Sequence, residues 1–176
     1  LTDMRAENAW MPPGVEQWGF VENLAAFLQG QTAMTISWPP YGRWAAGYGT
    51  DQEVLSWVPK STIAGKVGYA IHPKAVKHSA QTGGFGLAIP KNAKNKDAAF
   101  LLIQWLTNKQ NDLKVALLGG SASRWSTLEN AEAKKKYPIE FPVLKEALKI
   151  AKPDWRPLIP EWDHVSQQIL GLALPD

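Results

Sequence analysis

The stretch Gly83–Leu106, GGFGLAIPKNAKNKDAAFLLIQWL, sets the tightest condition on the fold of this chain. Gly83, Gly84 and Gly86 permit close backbone approach. Leu87, Ala88 and Ile89 then read as a short buried strand that Pro90 stops, because proline has no N–H for a ladder. Asn95 is suited to cap a helix, and Asp97 puts a negative charge in its first turn. Ala98, Ala99, Leu101, Leu102, Ile103, Trp105 and Leu106 cover most of that helix's circumference, so it requires packing on several sides.

The rest of the composition excludes more than it assigns. A chain of 176 residues, 45% of them hydrophobic, can build one domain with a substantial core. Its 19 basic and 16 acidic side chains are interspersed, with no basic stripe suited to nucleic acid. Cysteine is absent, which excludes disulfides, thiol catalysis and zinc–thiolate sites. No apolar run reaches the length of about 18 residues that a membrane helix needs, and the first residues do not read as a secretory leader. The chain begins at Leu1 and reads as a mature form or an excised fragment. His72, His78 and His164 lack the spacing of a helical metal site, so no metal or other cofactor is expected; each reads as a surface or capping side chain. Gly84-Phe-Gly86 lacks the third glycine of a dinucleotide fingerprint, and neither a nucleophile elbow nor a phosphate-cradling loop is present.

In chain order, Phe20–Gln29 has helical spacing closed by Gly30, and Gln31–Trp38 alternates as a strand that Pro39-Pro40 ends. Gly65–Pro73 reads as a second strand with Val67, Tyr69 and Ile71 on one face. Asn108 caps a helix that stops at Gly119-Gly120. Ser126 and Glu129 form a capping-box pattern, and Lys134–Lys136 reads as a solvated helix C-terminus. Pro142, at a first helical position, leads a helix with Leu144, Ala147, Leu148 and Ala151 on one face. A last helix turns Val165, Ile169 and Leu172 inward.

Nine tryptophans are the compositional anomaly. The loop Trp38–Trp44 carries Trp38, Tyr41, Arg43 and Trp44 behind a strand end, where open α/β sheets place ligands. Flat apolar rings beside a guanidinium suit a sugar, which offers a C–H face and hydroxyls. The same residues could equally fold back as a lid on the core. The segment Asp154–Trp162 repeats this chemistry with Trp155 and Trp162, and only the fold can say whether the two loops meet.

Taken together and in order, Phe27–Met34, Ala64–Tyr69, Gly83–Pro90, Lys94–Thr107, Gly119-Gly120 with Arg124, and Arg156–Pro160 resemble the C-terminal half of a family 1 extracellular solute-binding protein. These are the sugar-binding components of ABC importers, in the class of the maltose-binding proteins. The resemblance implies an α/β, type II periplasmic-binding-protein fold of two lobes that close on a ligand. On that basis residues 1–82 and 126–176 belong to the C-terminal lobe, and 83–125 holds the hinge crossings and part of the N-terminal lobe. The implied location is periplasmic or extracellular, and the implied partner is an ABC permease. The ligand-binding set is Trp38, Tyr41, Arg43, Trp44, Gly84, Phe85, Arg124, Trp155 and Trp162.

The family's first lobe-forming units have no counterpart here. Phe100–Leu106 is therefore expected to need covering by a missing N-terminal segment or by another copy. The competing readings are a fragment of a carbohydrate-active enzyme, with Glu161 and Asp163 as its carboxylates, and a purely structural interaction module.

Overall fold

The computed structural model describes residues 10–78, 80–153 and 158–170. Helix α1, Phe20–Leu28, buries Leu24, Ala26 and Leu28. Glu22 reaches back from its first turn to accept a hydrogen bond from the Gly19 N–H at 3.0 Å. At its other end Gly30 takes φ 72°. The Gly30 N–H then bonds the Phe27 carbonyl at 3.0 Å and the Gln31 N–H the Ala26 carbonyl at 2.9 Å, the paired closure that a left-handed residue makes available.

Trp38–Trp44 is a helix start, not a rigid loop: α2 spans Pro39–Ala45 with Trp38 as its N-cap. Pro39 and Pro40 occupy the first two helical positions, where the N–H groups would have no intrahelical acceptor and the fixed φ of proline is already helical. The helix turns Tyr41, Trp44 and Ala45 into a core with Leu24, Leu28 and Val58, with Phe27, Leu55, Ile63 and Val67 packed around it.

A second core gathers Leu128, Ala133, Tyr137 and Phe141, with Leu113, Leu117, Leu144 and Leu148 packed against it. It is built from α4 (Lys109–Leu117), α5 (Trp125–Leu128), α6 (Ala131–Lys136) and α7 (Glu140–Ile150). Asn108 caps α4 as expected, its side chain accepting from the Asn111 N–H at 2.9 Å. The capping box expected at Ser126 and Glu129 does not form. Asn130 caps α6 instead, while Glu129, just past α5, pairs with Lys134 at 2.5 Å and with Lys145. These two lysines hold the Glu129 carboxyl down at about 2. Helix α7 begins two residues ahead of Pro142.

Helix α2 joins the two cores. Just after it, Tyr48 stands edge-on to Tyr137 with ring centroids 5.0 Å apart. One residue on, Gly49 meets Gly119 backbone to backbone. Both have positive φ, 77° and 94°, and a Cβ on Gly119 would lie 2.7 Å from the Gly49 Cα. Gly119→Ala therefore adds a clash to the left-handed penalty of about 1–2 kcal/mol. A denaturant titration should show at least that loss of unfolding free energy.

The α/β expectation is not met by the described residues, which are helical and irregular and contain no strand. Gln31–Trp38, Gly65–Pro73 and Gly83–Ile89 form no ladder, and the isolated β-bridge is Gln81 with Lys152, in parallel sense. The physical reason is that a strand is defined by neighbours: alternation prepares a face, but hydrogen bonds come from another segment. Helix α3, Lys96–Leu106, forms where the sequence places it, with Asp97 in the first turn and Asn95 at the N-cap position, although the Asn95 side chain makes no capping hydrogen bond. It contains no buried residue. Phe100, Leu101, Leu102, Trp105 and Leu106 are all exposed, Trp105 at 60%. The packing that this helix requires is absent from the described residues.

Candidate functional site

A cavity of about 910 Å³ lies between residues 35–42, 67–72 and 80–83 on one side and α7 on the other. Its position follows from the sequence. The segments that alternate in polarity but have no ladder partner lie across the cavity from the apolar face of α7, which presents Leu144, Ala147 and Leu148 to the gap, with Ala151 just past its end. Trp38, Tyr41 and Gly83 belong to the same lining, so the fold does bring the first aromatic segment to the glycine-rich one.

Trp38 is 58% exposed. Its indole rests on Phe20, 5.2 Å away between centroids, and meets Tyr41 edge-on at 6.3 Å. Phe20 also packs on Trp57, and Trp57 stands edge-on to Trp44 at 5.6 Å. The result is a raft of five rings with Trp38 on its open side.

The other aromatics of this segment face inward. Tyr41 is buried and donates its hydroxyl to the Phe20 carbonyl at 2.7 Å. Burial pushes its pKa up against an opposing hydrogen bond from Ser37. Trp44 stacks on Tyr41 in the first core.

Arg43 is the largest departure from the sequence reading of the site. It was expected to fork a ligand, yet it is 1% exposed and its donors are turned to the protein. Nη1 donates to the Gly120 carbonyl, Nη2 donates to Ser121 Oγ at 3.3 Å, and Nε lies 3.0 Å from Glu140 Oε1. Its guanidinium also sits 5.9 Å from the Tyr137 ring centroid. Glu140 is 4% exposed, and burial pushes its carboxyl up to about 7 despite the Arg43 cation. Burial, reinforced by the Glu140 charge, also raises the Tyr69 hydroxyl.

The remaining expected ligand residues are dispersed. Gly84 and Phe85 are exposed, with open space around Gly84. Arg124 is exposed and donates Nε to the Thr107 carbonyl at 2.6 Å. Trp162, at the start of α8 (Trp162–His164), is half-buried and takes no part in the cavity lining. Trp155 lies outside the described residues. Glu161 and Asp163 are exposed, and Asp163 Oδ1 accepts from Gln167 Nε2 at 2.8 Å.

Two buried carboxylates are not among the residues that the sequence singles out. Glu140 was legible in principle, because helical spacing from Tyr137 through Glu140, Leu144 and Ala147 puts it on an apolar face. Asp112 was not, since its partners come from elsewhere. One of its oxygens accepts from the Ser123 N–H at 3.0 Å and from Ser123 Oγ, and the other accepts from Thr127 Oγ1. Burial raises its pKa, but these hydrogen bonds outweigh it and hold the carboxyl below the usual range. Among the described residues no cluster of His, Asp or Glu is arranged to hold a metal ion, and no helix is long and apolar enough to cross a membrane.

Comparison with known proteins adds what geometry cannot. The family model for bacterial extracellular solute-binding protein matches residues 1–112. A probable amino-acid ABC transporter periplasmic-binding protein of Sinorhizobium fredii, y4oP, is 28% identical over 94% of this chain and 36% of its own length. A mannitol-binding protein of Pseudomonas aeruginosa is 32% identical over 64% of this chain and 24% of its own length. The chain thus spans about a third or less of the curated relatives it matches. No solved structure matches it.

Proposed function

This chain belongs to the bacterial extracellular solute-binding protein family, and on that premise we propose that it binds a sugar, oligosaccharide or polyol without turnover and serves delivery through an ABC permease. The observation that carries the ligand class is Trp38, an exposed indole held against Phe20 and Tyr41 at a cavity edge. A ring in that setting offers an apolar face to C–H groups and loses little side-chain freedom on contact. The mannitol-binding relative supports a polyol, and the relative described as an amino-acid binder makes amino acids the competitor to be tested.

The proposed fold is the two-lobed type II arrangement, with the cleft completed by the remainder of a longer polypeptide. In that arrangement 1–82 and 126–176 build one lobe, and 83–125 crosses to the other. Trp38 contributes from the first lobe. Gly84, Phe85 and Arg124 contribute from the crossings, and Trp155 and Trp162 from the segment after α7. Tyr41, Arg43 and Trp44 support this wall from behind. A periplasmic location accords with the family and with the relatives' names.

Calorimetry on the chain within its longer polypeptide, with mannitol, maltose and a panel of amino acids, tests the reading. A saturable heat with a polyol or sugar and no reducing-sugar release is expected. Turnover, or saturation by amino acids alone, would sink it. Trp38→Ala should weaken binding about tenfold or more, which is about 1.4 kcal/mol. Its stability cost should stay below about 1 kcal/mol, because the ring is largely in solvent.

A further inference from the structure

Arg43 gathers three parts of the chain on one guanidinium: α2, which carries it, α7 through Glu140, and the 119–124 segment through Gly120 and Ser121. That segment links α4 to α5 and has further holds, among them Arg124 Nε donating to the Thr107 carbonyl at 2.6 Å and the Gly49 backbone against Gly119. Gly119 and Gly120 donate to the Ala116 and Val115 carbonyls at 3.0 and 2.9 Å, and Ser123 is tied to Asp112. The arginine hold and the Gly49–Gly119 contact both tie this segment back to the α2 side.

We propose that Arg43 and Glu140 form a proton-linked latch that positions the 119–124 segment, and with it Arg124, against α2 and α7. Only the bearing on Arg124 rests on the ligand reading above; the latch itself does not. Glu140 is nine-tenths buried, and neither of its oxygens has a hydrogen-bond partner in the structure. Arg43 Nε faces Oε1 at 3.0 Å without the alignment of a hydrogen bond. Such a carboxylate is costly to ionise in place and relieved by opening.

The titratable and charged groups around it are Arg43 from α2, Tyr48 after α2, Tyr69 from the 65–73 segment, and Tyr137 with Lys136 at the end of α6. His72 and Lys152 belong to the lining of the adjoining cavity. Arg43 is the cation in direct contact. The direction follows by linkage. In the closed state Glu140 holds its proton up to about 7, whereas a solvated carboxyl releases it near the usual 4.5. Low pH therefore favours the closed latch, and rising pH through that window favours opening.

Hydrogen–deuterium exchange of the full chain, without ligand, tests this. Corrected for intrinsic rates, the Gly119, Gly120 and Ser123 amides should open roughly thirtyfold more readily at about pH 8.5 than at about pH 5.5, if opening solvates Glu140 fully. Glu140→Gln should remove that slope while leaving the circular-dichroism spectrum native. The amides of α1, outside the latch, serve as the internal reference and should not follow it. A flat wild-type profile, or an equal slope in Glu140→Gln, overturns the latch. Because the wild-type profile needs no variant, a variant that failed to fold would still leave the proposal falsifiable. A negative sugar titration would overturn the ligand reading and leave this result standing.

Discussion

Above about pH 7, where Glu140 is ionised beside it, Arg43→Ala is expected to cost about 3–5 kcal/mol of unfolding free energy, the range for removing one partner of a buried ion pair. For a chain of this size that lowers the melting temperature by on the order of 10 °C. The loss has named parts. The Gly120 carbonyl and Ser121 Oγ lose their donor, Tyr137 loses the cation 5.9 Å from its ring centroid, and a void opens beside Glu140. Arg43→Met with Glu140→Leu should recover part of the loss, because an apolar pair of similar volume removes the desolvation cost of both charges. Thermal melts of the two variants check the point. If Arg43→Ala melted like the wild type and only weakened ligand binding, Arg43 would be the ligand fork that its sequence context suggested.

That contrast shows what was legible in the sequence and why. Helices α1, α3 and α4 were readable because their signals are local: apolar spacing, Asn95 and Asn108 ahead, Gly30 and Gly119 behind. Helix α2 was missed although its signals were present, because Pro39-Pro40 breaks a strand and starts a helix with the same chemistry. The site was legible as a region only. Trp38 stays exposed while Arg43, five residues later, is buried, and the difference lies in Glu140 and Gly120, far along the chain. The strands were unreadable for a deeper reason. Alternation in Gln31–Trp38 and Gly65–Pro73 prepares a face, but pairing belongs to two segments at once, and the described residues supply no second one.

The second large effect concerns α3. A helix with Phe100, Leu101, Leu102, Trp105 and Leu106 all exposed carries an apolar surface that water penalises by about 25 cal/mol for each Å² left uncovered. The proposed two-lobed arrangement places the rest of a longer polypeptide there, and in its absence the same surface should draw copies of this chain together. Leu102→Lys with Trp105→Glu should then disperse those assemblies with little loss of secondary structure, because neither side chain is buried. Size-exclusion chromatography with circular dichroism would follow both changes. An unchanged elution profile would place the sticky surface elsewhere, for instance on the unladdered segments.

The most direct measurement is sedimentation of the 176-residue chain across a dilution series, with a denaturant melt at each concentration. Concentration-dependent association and a stability that falls on dilution are expected, since the described residues leave no residue of α3 buried. A dilute chain that stays monomeric and unfolds in one cooperative, concentration-independent transition would contradict the account.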